Sequence, residues 1–406
     1  MKKLLVIGRT FPEPSTTAAG EHILDLMGFF LEESYEILFT STASYSERSA
    51  SLEELGIRSE QVLINDESFD QLVHDFQADV VLFDRFITEE QFGWRVSELL
   101  PKCVKILDTE DLHFLRRARE HSFKKGIDFS EDQLYTEDAK RELASILRCD
   151  LSLVVSSYEM SLLERLFNIP KELLLYLPLL VEDFNGHAHK SYNERQFFVS
   201  IGNFYHAPNL DAVKYLKKEI WPAIRQQLPK SELHLYGAYA PEQVNQMHRP
   251  EEGFFIEGWV ENVDDVIQQA KLCLAPLRFG AGLKGKLISA MLNGTPVITT
   301  SIGAEGMYGE FKVPGRIAKD TDEFVDSAVE LYSNQSLWDD CQSEIESILN
   351  QRFNKQEYAA KFKERLAVLQ NNIEGHRKSH FITQIIQHQH LQSTKYLSKW
   401  IEEKNK

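Results

Sequence analysis

Short apolar runs alternate with longer amphipathic segments over most of this chain. In the first half, runs of strand length are predicted at Lys3–Gly8, Tyr35–Thr40, Val80–Asp84, Val104–Asp108, Leu151–Ser156 and Leu174–Pro178. Between the first two runs, Ile23, Met27 and Phe30 recur at helical spacing within Gly20–Glu32, which predicts an amphipathic helix. Strands that alternate with helices in this way indicate a parallel sheet with crossover helices.

The second half repeats this alternation and then becomes helical. Its predicted strands are Phe197–Ile201, Leu233–Tyr236, Phe254–Glu257, Leu272–Ala275, Pro296–Thr300 and Arg316–Ala318. The helices predicted after them are Asp322–Ser333, Ser336–Leu349 and Lys355–Asn371. A polar stretch, Glu182–Arg195, separates the two halves and is the best candidate for a linker. The pattern therefore predicts an α/β protein with two doubly wound sheets.

Length and composition agree with two globular domains. The chain has 406 residues, more than one hydrophobic core usually organises. Its four scattered cysteines form no C-x-x-C motif, which is typical of thiols in a reducing cytosol. The apolar start MKKLLVIG is too short for a signal sequence, and no apolar segment is long enough to span a bilayer. A net charge of −17 argues against general nucleic-acid binding, so we expect a cytoplasmic protein without a nucleic-acid partner.

The stretch Ala275–Met307 carries the most chemistry. It reads as a strand, a glycine-rich loop, a helix that starts near Leu283, a turn and a second strand. Glycines let backbone amides approach a ligand, and a helix N-terminus favours an anion. Lys284 and Lys286 add two positive charges there. These features together predict a diphosphate site, although the glycine spacing fits neither a P-loop nor a G-x-G-x-x-G fingerprint.

Two blocks of sequence resemble the family 4 glycosyltransferases. The matching positions of the loop and helix are Pro276, Leu277, Arg278, Gly280, Gly282, Lys286, Ala290, Met291, Gly294, Pro296 and Val297. A second block, SIGNFYHAPNLDAVKYLKKEIWPAI at Ser200–Ile224, resembles the opening of the family's C-terminal domain. The resemblance is good over Phe197–Tyr332 and weaker before it.

The resemblance implies the GT-B fold, with two Rossmann-like domains whose parallel sheets face a central cleft. We expect an acceptor-side domain over residues 1–185, a donor domain over 186–355, and C-terminal helices over 356–406 that cross back to the first domain. The implied reaction moves a sugar from a nucleotide-diphosphate donor to a hydroxyl acceptor with retention of configuration, in glycan or cell-surface polysaccharide synthesis. Neither a metal ion nor another cofactor is expected.

The sequence departs from the family at its acidic motif. Many members carry Glu-x7-Glu, whose second glutamate binds the nucleotide ribose, but these positions are Ala281 and Ser289 here. Many members also carry an Arg and a Lys after the first strand of the donor domain, where this chain reads Gly202-Asn203. The pair Lys284 and Lys286 is a candidate replacement for those charges.

The resemblance and the strand ends give a set of candidate site residues. His113 and Lys286 are the catalytic candidates. The donor-binding candidates are Gly20, Gly202, Asn203, Gly237, Trp259, Val260, Arg278, Gly280, Gly282, Leu283, Lys284, Ser289 and Glu305.

Several candidates have an alternative structural interpretation. Trp259 can close a sheet edge, Arg278 can pair on the surface, and Glu305 can cap a turn. The loop before Gly20 can serve only to cap a helix. The ionisable residues around His113 can also be read as a metal site, with Asp108, Glu110, Asp111 and His113 as its ligands.

Two alternative functions stay open at this stage. One is another GT-B enzyme, such as a sugar-nucleotide epimerase or a phosphorylase. The other is a non-catalytic glycan- or nucleotide-binding subunit, which the missing glutamates favour. The C-terminal segment KYLSKWIEEKNK mixes lysines with Tyr396 and Trp400, so a weak peripheral membrane contact is an alternative to its docking on the first domain.

Overall fold

The computed structural model describes residues 1–184, 186 and 189–405. Seven parallel strands form the first sheet in the order β3-β2-β1-β4-β5-β6-β7. The strands are β1 (Lys3–Gly8), β2 (Glu36–Ser41), β3 (Arg58–Gln61), β4 (Val80–Asp84), β5 (Val104–Asp108), β6 (Leu151–Val154) and β7 (Leu174–Tyr176). The helices of this domain are α1 (Ala18–Glu32), α2 (Glu67–Phe76), α3 (Phe86–Leu99), α4 (His113–Lys125), α5 (Glu137–Arg148) and α6 (Ser157–Arg165).

A second sheet of six parallel strands has the order β10-β9-β8-β11-β12-β13. Its strands are β8 (Phe198–Ile201), β9 (Leu233–Tyr236), β10 (Phe254–Gly258), β11 (Leu272–Ala275), β12 (Val297–Thr300) and β13 (Gly315–Ala318). Its helices are α7 (Ala207–Tyr215), α8 (Trp221–Gln227), α9 (Glu242–Asn245), α10 (Asp264–Ile267), α11 (Gly285–Leu292), α12 (Ser301–Ala304), α13 (Thr321–Ser333), α14 (Gln335–Asp340) and α15 (Ile345–Arg352). A π-helical turn, Leu216–Ile220, joins α7 to α8.

Both sheets have the strand order of a doubly wound fold, with a switch point beside the first strand of each. In the first sheet β1 pairs with both β2 and β4, and in the second β8 pairs with both β9 and β11. Ligands of such sheets bind outside the carboxyl ends of the strands, at the switch point. Loops from these ends of the two sheets contact one another, so the two potential binding edges share one cleft.

The last helices return to the first domain. They are α16 (Lys355–Asn371), α17 (Ile373–Ser379) and α18 (Phe381–Asn405). Phe362 of α16 contacts the rings of Phe29 and Phe30 on α1, at centroid distances of 5.9 and 5.5 Å. α15 still packs in the core of the second domain, so the chain crosses between α15 and α16. The exact domain limits stay a prediction, and the proposed boundary residue 185 lies outside the described residues.

Polar contacts hold α17 and α18 against the first domain. Arg377 pairs with Asp150 at 2.7 Å, and Arg95 pairs with Asp70 at 2.6 Å and with Glu402. The outer side of α18 leaves apolar side chains in solvent, namely Phe381, Ile382, Ile385, Tyr396, Leu397 and Trp400. Of the helices the structure describes, none is long and apolar enough to cross a membrane.

Three details differ from the sequence-based prediction. The strand β3 was missed, because its sequence RSEQ has no apolar side chain and it lies at the sheet edge. The single helix predicted at Ser336–Leu349 is two helices, α14 and α15. The helix after the glycine loop begins at Gly285 and not near Leu283, so Lys284 is its N-cap residue.

Candidate active site

The glycine loop between β11 and α11 lies directly against the first domain. Arg119 of α4 donates hydrogen bonds to the Gly280 carbonyl (2.9 Å) and to both carboxylate oxygens of Glu305 (2.8 and 2.7 Å). The Gly282 amide donates to Glu159 Oε1 at 2.7 Å, and the Leu112 amide donates to the same oxygen at 3.2 Å. The cleft is therefore closed, and side chains of both domains clasp the loop.

Two glycines permit this close approach. Gly282 has a φ of +65°, and a Cβ placed on it would lie 2.8 Å from the Asp111 Cβ of the first domain. A Cβ on Gly285 would lie 2.7 Å from the Ala18 Cβ at the start of α1. A side chain at either position would push the domains apart, which explains these glycines by interdomain packing as well as by access for a phosphate.

Lys284 is buried and turned back onto its own loop. Its ammonium donates to the carbonyls of Ala281 (3.0 Å) and Gly282 (2.6 Å). Burial lowers the pKa of Lys284 below its ordinary value. It forms no ion pair within the described part of the chain, so its charge is available to an anion at the loop.

Lys286 belongs to a network of polar contacts in the second domain, which it forms with Asn209 and Asn203. Its ammonium donates to Asn209 Oδ1 at 2.7 Å, and Asn209 donates through Nδ2 to the Asn203 carbonyl at 2.9 Å. Burial lowers the pKa of Lys286 to about 8. The backbone amide of His206 donates to the same Asn203 carbonyl at 3.2 Å. The pKa of His206 is lowered to about 4, first by burial and then by the charge of Arg116. The sequence predicted Lys286 and Asn203 but gave no reason to single out Asn209 or His206.

Other donor candidates follow strands of the second sheet. A Cβ on Gly202 would lie 2.6 Å from the Asn209 side chain, and one on Gly237 would lie 2.0 Å from the Gly202 carbonyl. Their immediate role is thus to let the ends of β8 and β9 pack. Ser289 is half-buried, and its hydroxyl donates to the Gly285 carbonyl at 3.2 Å. Leu283 is half-buried in the loop between Lys284 and Gly282.

Two charged candidates, Arg278 and Glu305, each form an ion pair with another side chain of the protein. Arg278 forms a bidentate ion pair with Asp211 (2.9 and 2.7 Å) and lies over the rings of Phe123 and Tyr215. Glu305 is held by Arg119, as described above. Gly20 lies in α1, where a Cβ would meet the Glu13 backbone at 2.5 Å, so close packing of the preceding loop accounts for it.

An aromatic surface lies at the ends of β9 and β10. Trp259 is 39% exposed, with Val260 half-buried beside it, and the Trp259 indole donates to the Ser15 carbonyl of the first domain at 3.3 Å. The guanidinium of Arg48, also from the first domain, lies 5.1 Å from the Tyr239 ring and 5.2 Å from the Trp259 ring. Tyr239 donates to Glu13 at 2.7 Å, which makes a second contact between the domains.

His113 begins α4 at the carboxyl end of β5. It is 6% exposed, and its Nε2 lies 3.4 Å from Asp111 Oδ1. Its backbone amide donates to the buried carboxyl of Glu142 at 3.1 Å. The pKa of His113 is lowered to about 3, first by burial, so the imidazole is neutral at physiological pH. A neutral imidazole can donate or accept a hydrogen bond at a sugar hydroxyl.

Near His113, the side chains of His22, Asp108 and Glu110 form a buried cluster of titratable groups. The sequence analysis did not predict that His22 belongs to it. His22 Nε2 lies 3.6 Å from Asp108 Oδ1, and both side chains are fully buried. Burial lowers the pKa of His22, but the charge and hydrogen bond of Asp108, together with the charges of Glu110 and Asp25, raise it to about 9. The pKa of Glu110 is also raised, first by burial and then by Asp108. Across the described ranges no group of three or more His, Cys, Asp or Glu side chains is arranged to hold a metal ion.

Comparison with known proteins agrees with this geometry. Residues 195–334 match the family model described as glycosyl transferases group 1. HepE from Anabaena, solved in complex with UDP and glucose, superposes with a TM-score of 0.68 at 14% identity, covering 91% of this chain and all of that one. The chain has the GT-B fold and resembles the group 1 glycosyltransferases. No curated protein sequence matches it.

Two further structures show the same architecture. Sucrose-phosphate synthase from Thermosynechococcus elongatus superposes with a TM-score of 0.65 at 12% identity, over 91% of this chain and 99% of that chain. A variant of S. aureus TarM, in complex with Fondaparinux, alpha-GlcNAc-glycerol and UDP, has a TM-score of 0.57 at 12% identity. This chain covers 57% of the TarM chain. These two comparisons support the GT-B fold.

Proposed function

We propose that the protein transfers a sugar from a nucleotide-diphosphate donor to a hydroxyl acceptor, with retention of configuration, in glycan or cell-surface polysaccharide synthesis. The proposal depends mainly on the glycine loop Gly280–Lys286, around which the two domains are closed. Its lysines, Lys284 and Lys286, form no ion pair with a carboxylate among the described residues. The relatives solved with UDP support a nucleotide-sugar donor.

The chemistry assigned to the loop is stabilisation of the leaving diphosphate. In a retaining transfer of this kind the sugar gains positive character while negative charge grows on the departing phosphate. Lys284, Lys286 and the amides at the start of α11 would stabilise that charge in a site from which the closed domains exclude water. We assign no metal ion to the reaction, since the lysine pair supplies the positive charge; full activity in the presence of EDTA is the expected result.

The first domain would supply the acceptor side. His113, neutral and close to Asp111, is our candidate for contact with the transferred sugar. The first measurement is a thermal-shift screen of the full chain against nucleoside diphosphates and nucleotide sugars. One nucleoside diphosphate should raise the melting temperature, and its sugar conjugate should be hydrolysed slowly in the absence of acceptor. Failure of every nucleotide to bind would contradict the proposal.

The missing carboxylates favour one second candidate. Ala281 is buried and apolar, and the Ser289 hydroxyl is engaged by the Gly285 carbonyl, so no charged group is placed at either motif position to hold the ribose. A binding subunit without catalysis fits this observation. Nucleotide binding without hydrolysis or transfer of any sugar would favour that candidate.

We place the protein in the cytoplasm, in weak peripheral contact with a membrane through α18. The support is the exposed apolar side of that helix, where Tyr396, Leu397 and Trp400 stand beside Lys399. Sedimentation with anionic vesicles should be reduced by the double substitution Leu397→Gln and Trp400→Gln. Equal sedimentation of the variant and the wild type would remove the membrane contact from the proposal.

A further inference from the structure

Four arginines of the first domain lie around the crevice between β1 and β4. Arg9 follows β1, Arg85 follows β4, and Arg116 and Arg117 stand near the start of α4. β1 and β4 are paired neighbours although two other strands separate them in sequence. This is the switch point of the first sheet, where open α/β sheets bind ligands. The donor loop and its lysines belong to the other sheet, so the proposed donor site leaves this crevice without a ligand.

Arg9 is the member of this cluster whose side chain has no ion-pair partner among the described residues. The other three pair with carboxylates, as Arg85–Asp84 at 3.2 Å, Arg116–Asp111 at 2.7 Å and Arg117–Asp138 at 2.6 Å. The side chain of Arg9 is exposed and makes no hydrogen bond or ion pair to any described residue. Only its backbone is held, by an amide hydrogen bond to Asp84 Oδ2 at 2.9 Å.

Charges of both signs act on this guanidinium. The pKa of Arg9 is lowered, first by partial burial and then by the positive charge of Arg85, whereas the carboxylate of Asp84 raises it and Arg116 and Arg117 lower it by smaller amounts. The carboxylates of Asp84, Asp111 and Asp138 offset the charges of the other three arginines, so Arg9 carries the charge of the cluster that no ion pair offsets among the described residues. An anion bound there would pair with Arg9 and would offset its repulsion by Arg85.

The backbone at Arg85 points to the same conclusion. Its φ is +68°, a left-handed value that costs energy for a residue with a side chain. The Arg85 amide donates to the Asp108 carbonyl at 2.8 Å, which fixes this conformation. Arg85 is also the N-cap residue of the 14-residue helix α3, so the positive end of that helix faces the same crevice. Strained residues of this kind cluster at binding sites, where the surrounding structure maintains them.

The arginine cluster adjoins the donor site. Arg116 pairs with Asp111 at 2.7 Å, and a Cβ placed on Gly282 of the glycine loop would lie 2.8 Å from the Asp111 Cβ. An acceptor held at the crevice would therefore reach the place where the diphosphate leaves. The cluster itself stays on the first domain, on the acceptor side of the cleft.

We propose that Arg9, Arg85, Arg116 and Arg117 bind an oxyanion of the acceptor, a phosphate or a carboxylate, beside the hydroxyl that receives the sugar. The proposal rests on the proposed transfer function and names its acceptor class as anionic. Arg9 is the direct ligand because it is free. Arg85 is the second ligand, and Arg116 and Arg117 contribute mainly through their charge.

The test uses the full chain saturated with the nucleoside diphosphate that binds best, and it is repeated without nucleotide. Glucose 6-phosphate, methyl glucuronide and neutral methyl glucoside are titrated calorimetrically. At least one anionic probe should bind more tightly than methyl glucoside, and the two anions separate a phosphate from a carboxylate site. Arg9→Gln should weaken that binding about tenfold or more, the loss expected for a charge-assisted hydrogen bond. Arg9→Lys should retain part of it.

The matched control is Arg58→Gln, which removes an exposed arginine from the edge strand β3 of the same domain. It should bind the probes like the wild type. Anions that bind no better than methyl glucoside, or that bind equally to Arg9→Gln, would overturn the proposal. An equal loss of nucleoside diphosphate affinity in Arg9→Gln would assign the arginines to the donor and also overturn it. Failure of the wild type to bind any nucleotide would instead count against the proposed function, while the titrations without nucleotide still decide the arginine site.

Discussion

The ion pair between Arg119 and Glu305 should hold the two domains closed. Arg119 lies on α4 of the first domain, and Glu305 follows α12 of the second. Their side chains are 5% and 15% exposed, and both carboxylate oxygens accept a hydrogen bond from the guanidinium. A third hydrogen bond joins Arg119 to the Gly280 carbonyl of the donor loop. Since all three bonds cross the cleft, their loss should act mainly on the closed state.

The magnitude follows from burial. Removing one partner of a buried pair leaves the other charge unpaired and costs about 3–5 kcal/mol. Glu305 keeps some exposure in the closed state, so the lower end of this range applies to Arg119→Met. A cost of about 3 kcal/mol reduces the ratio of closed to open molecules roughly 100-fold. Methionine keeps much of the side-chain volume, so this change tests charge and hydrogen bonding more than packing.

Small-angle scattering of the unliganded protein measures the opening directly. Arg119→Met should give a larger radius of gyration than the wild type, and saturating donor should bring the value back toward that of the closed form. The control is Arg165→Met, which removes a bidentate pair with Glu131 within the first domain, where both side chains are exposed. That variant should scatter like the wild type.

A double-mutant cycle with Glu305→Gln completes the test. Because the two residues contact each other, their effects on the melting temperature and on closure should be strongly non-additive, with a coupling of about 1 kcal/mol or more. Unchanged scattering for Arg119→Met together with additive effects would refute the reasoning. The closed arrangement would then depend on other contacts, such as Trp259 on Ser15 or Tyr239 on Glu13.

Three further predictions concern the donor site and its neighbour in the first domain. Lys286→Ala should weaken nucleoside diphosphate binding, measured by calorimetry, about tenfold or more, and a folded variant with unchanged affinity would exclude Lys286 from the site. The affinity of the wild type should also fall as pH rises through about 8, because Lys286 loses its proton there. Ser289→Glu should be tolerated and should tighten nucleotide binding, since Ser289 is half-buried, whereas a large fall in melting temperature without tighter binding would contradict the family alignment. His113→Ala should reduce the transfer rate strongly and leave diphosphate affinity near wild type; equal losses in both would assign His113 to the nucleotide site or to the fold.

The sequence predicted the parts of the fold that depend on local patterns. Buried parallel strands such as β4 (VVLFD) and β5 (VKILD) consist mostly of apolar residues, and both were predicted with their correct limits. The polar edge strand β3 has no such run and was missed. The glycine loop was recognised from spacing and family resemblance, and the structure places Gly280, Gly282, Lys284 and Lys286 together at the cleft.

What the sequence could not predict are contacts between distant segments. Glu159 and Arg119 are unremarkable helical residues in the sequence, yet both bind the donor loop across the cleft. Arg278 pairs with Asp211, the structural alternative left open for it, and its donor-binding role stays a prediction. The docking of the two domains determines the partners of Glu159 and Arg119, and no local pattern in the sequence encodes that docking.

The charge distribution links closure to donor binding. Lys284 and Lys286 are buried near each other, and neither forms an ion pair with a carboxylate in the described part of the chain. Burial lowers the pKa of both below the unfolded value. Because the unfolded chain then holds more protons between about pH 8 and 10.5, the unliganded protein gains stability as pH rises through that range and carries an electrostatic cost below it. A bound diphosphate would remove this cost by pairing with both lysines. It would also compete for the Gly282 amide, which Glu159 occupies in the closed state. Donor binding should therefore stabilise the protein most below pH 8, where the unliganded site is least favourable.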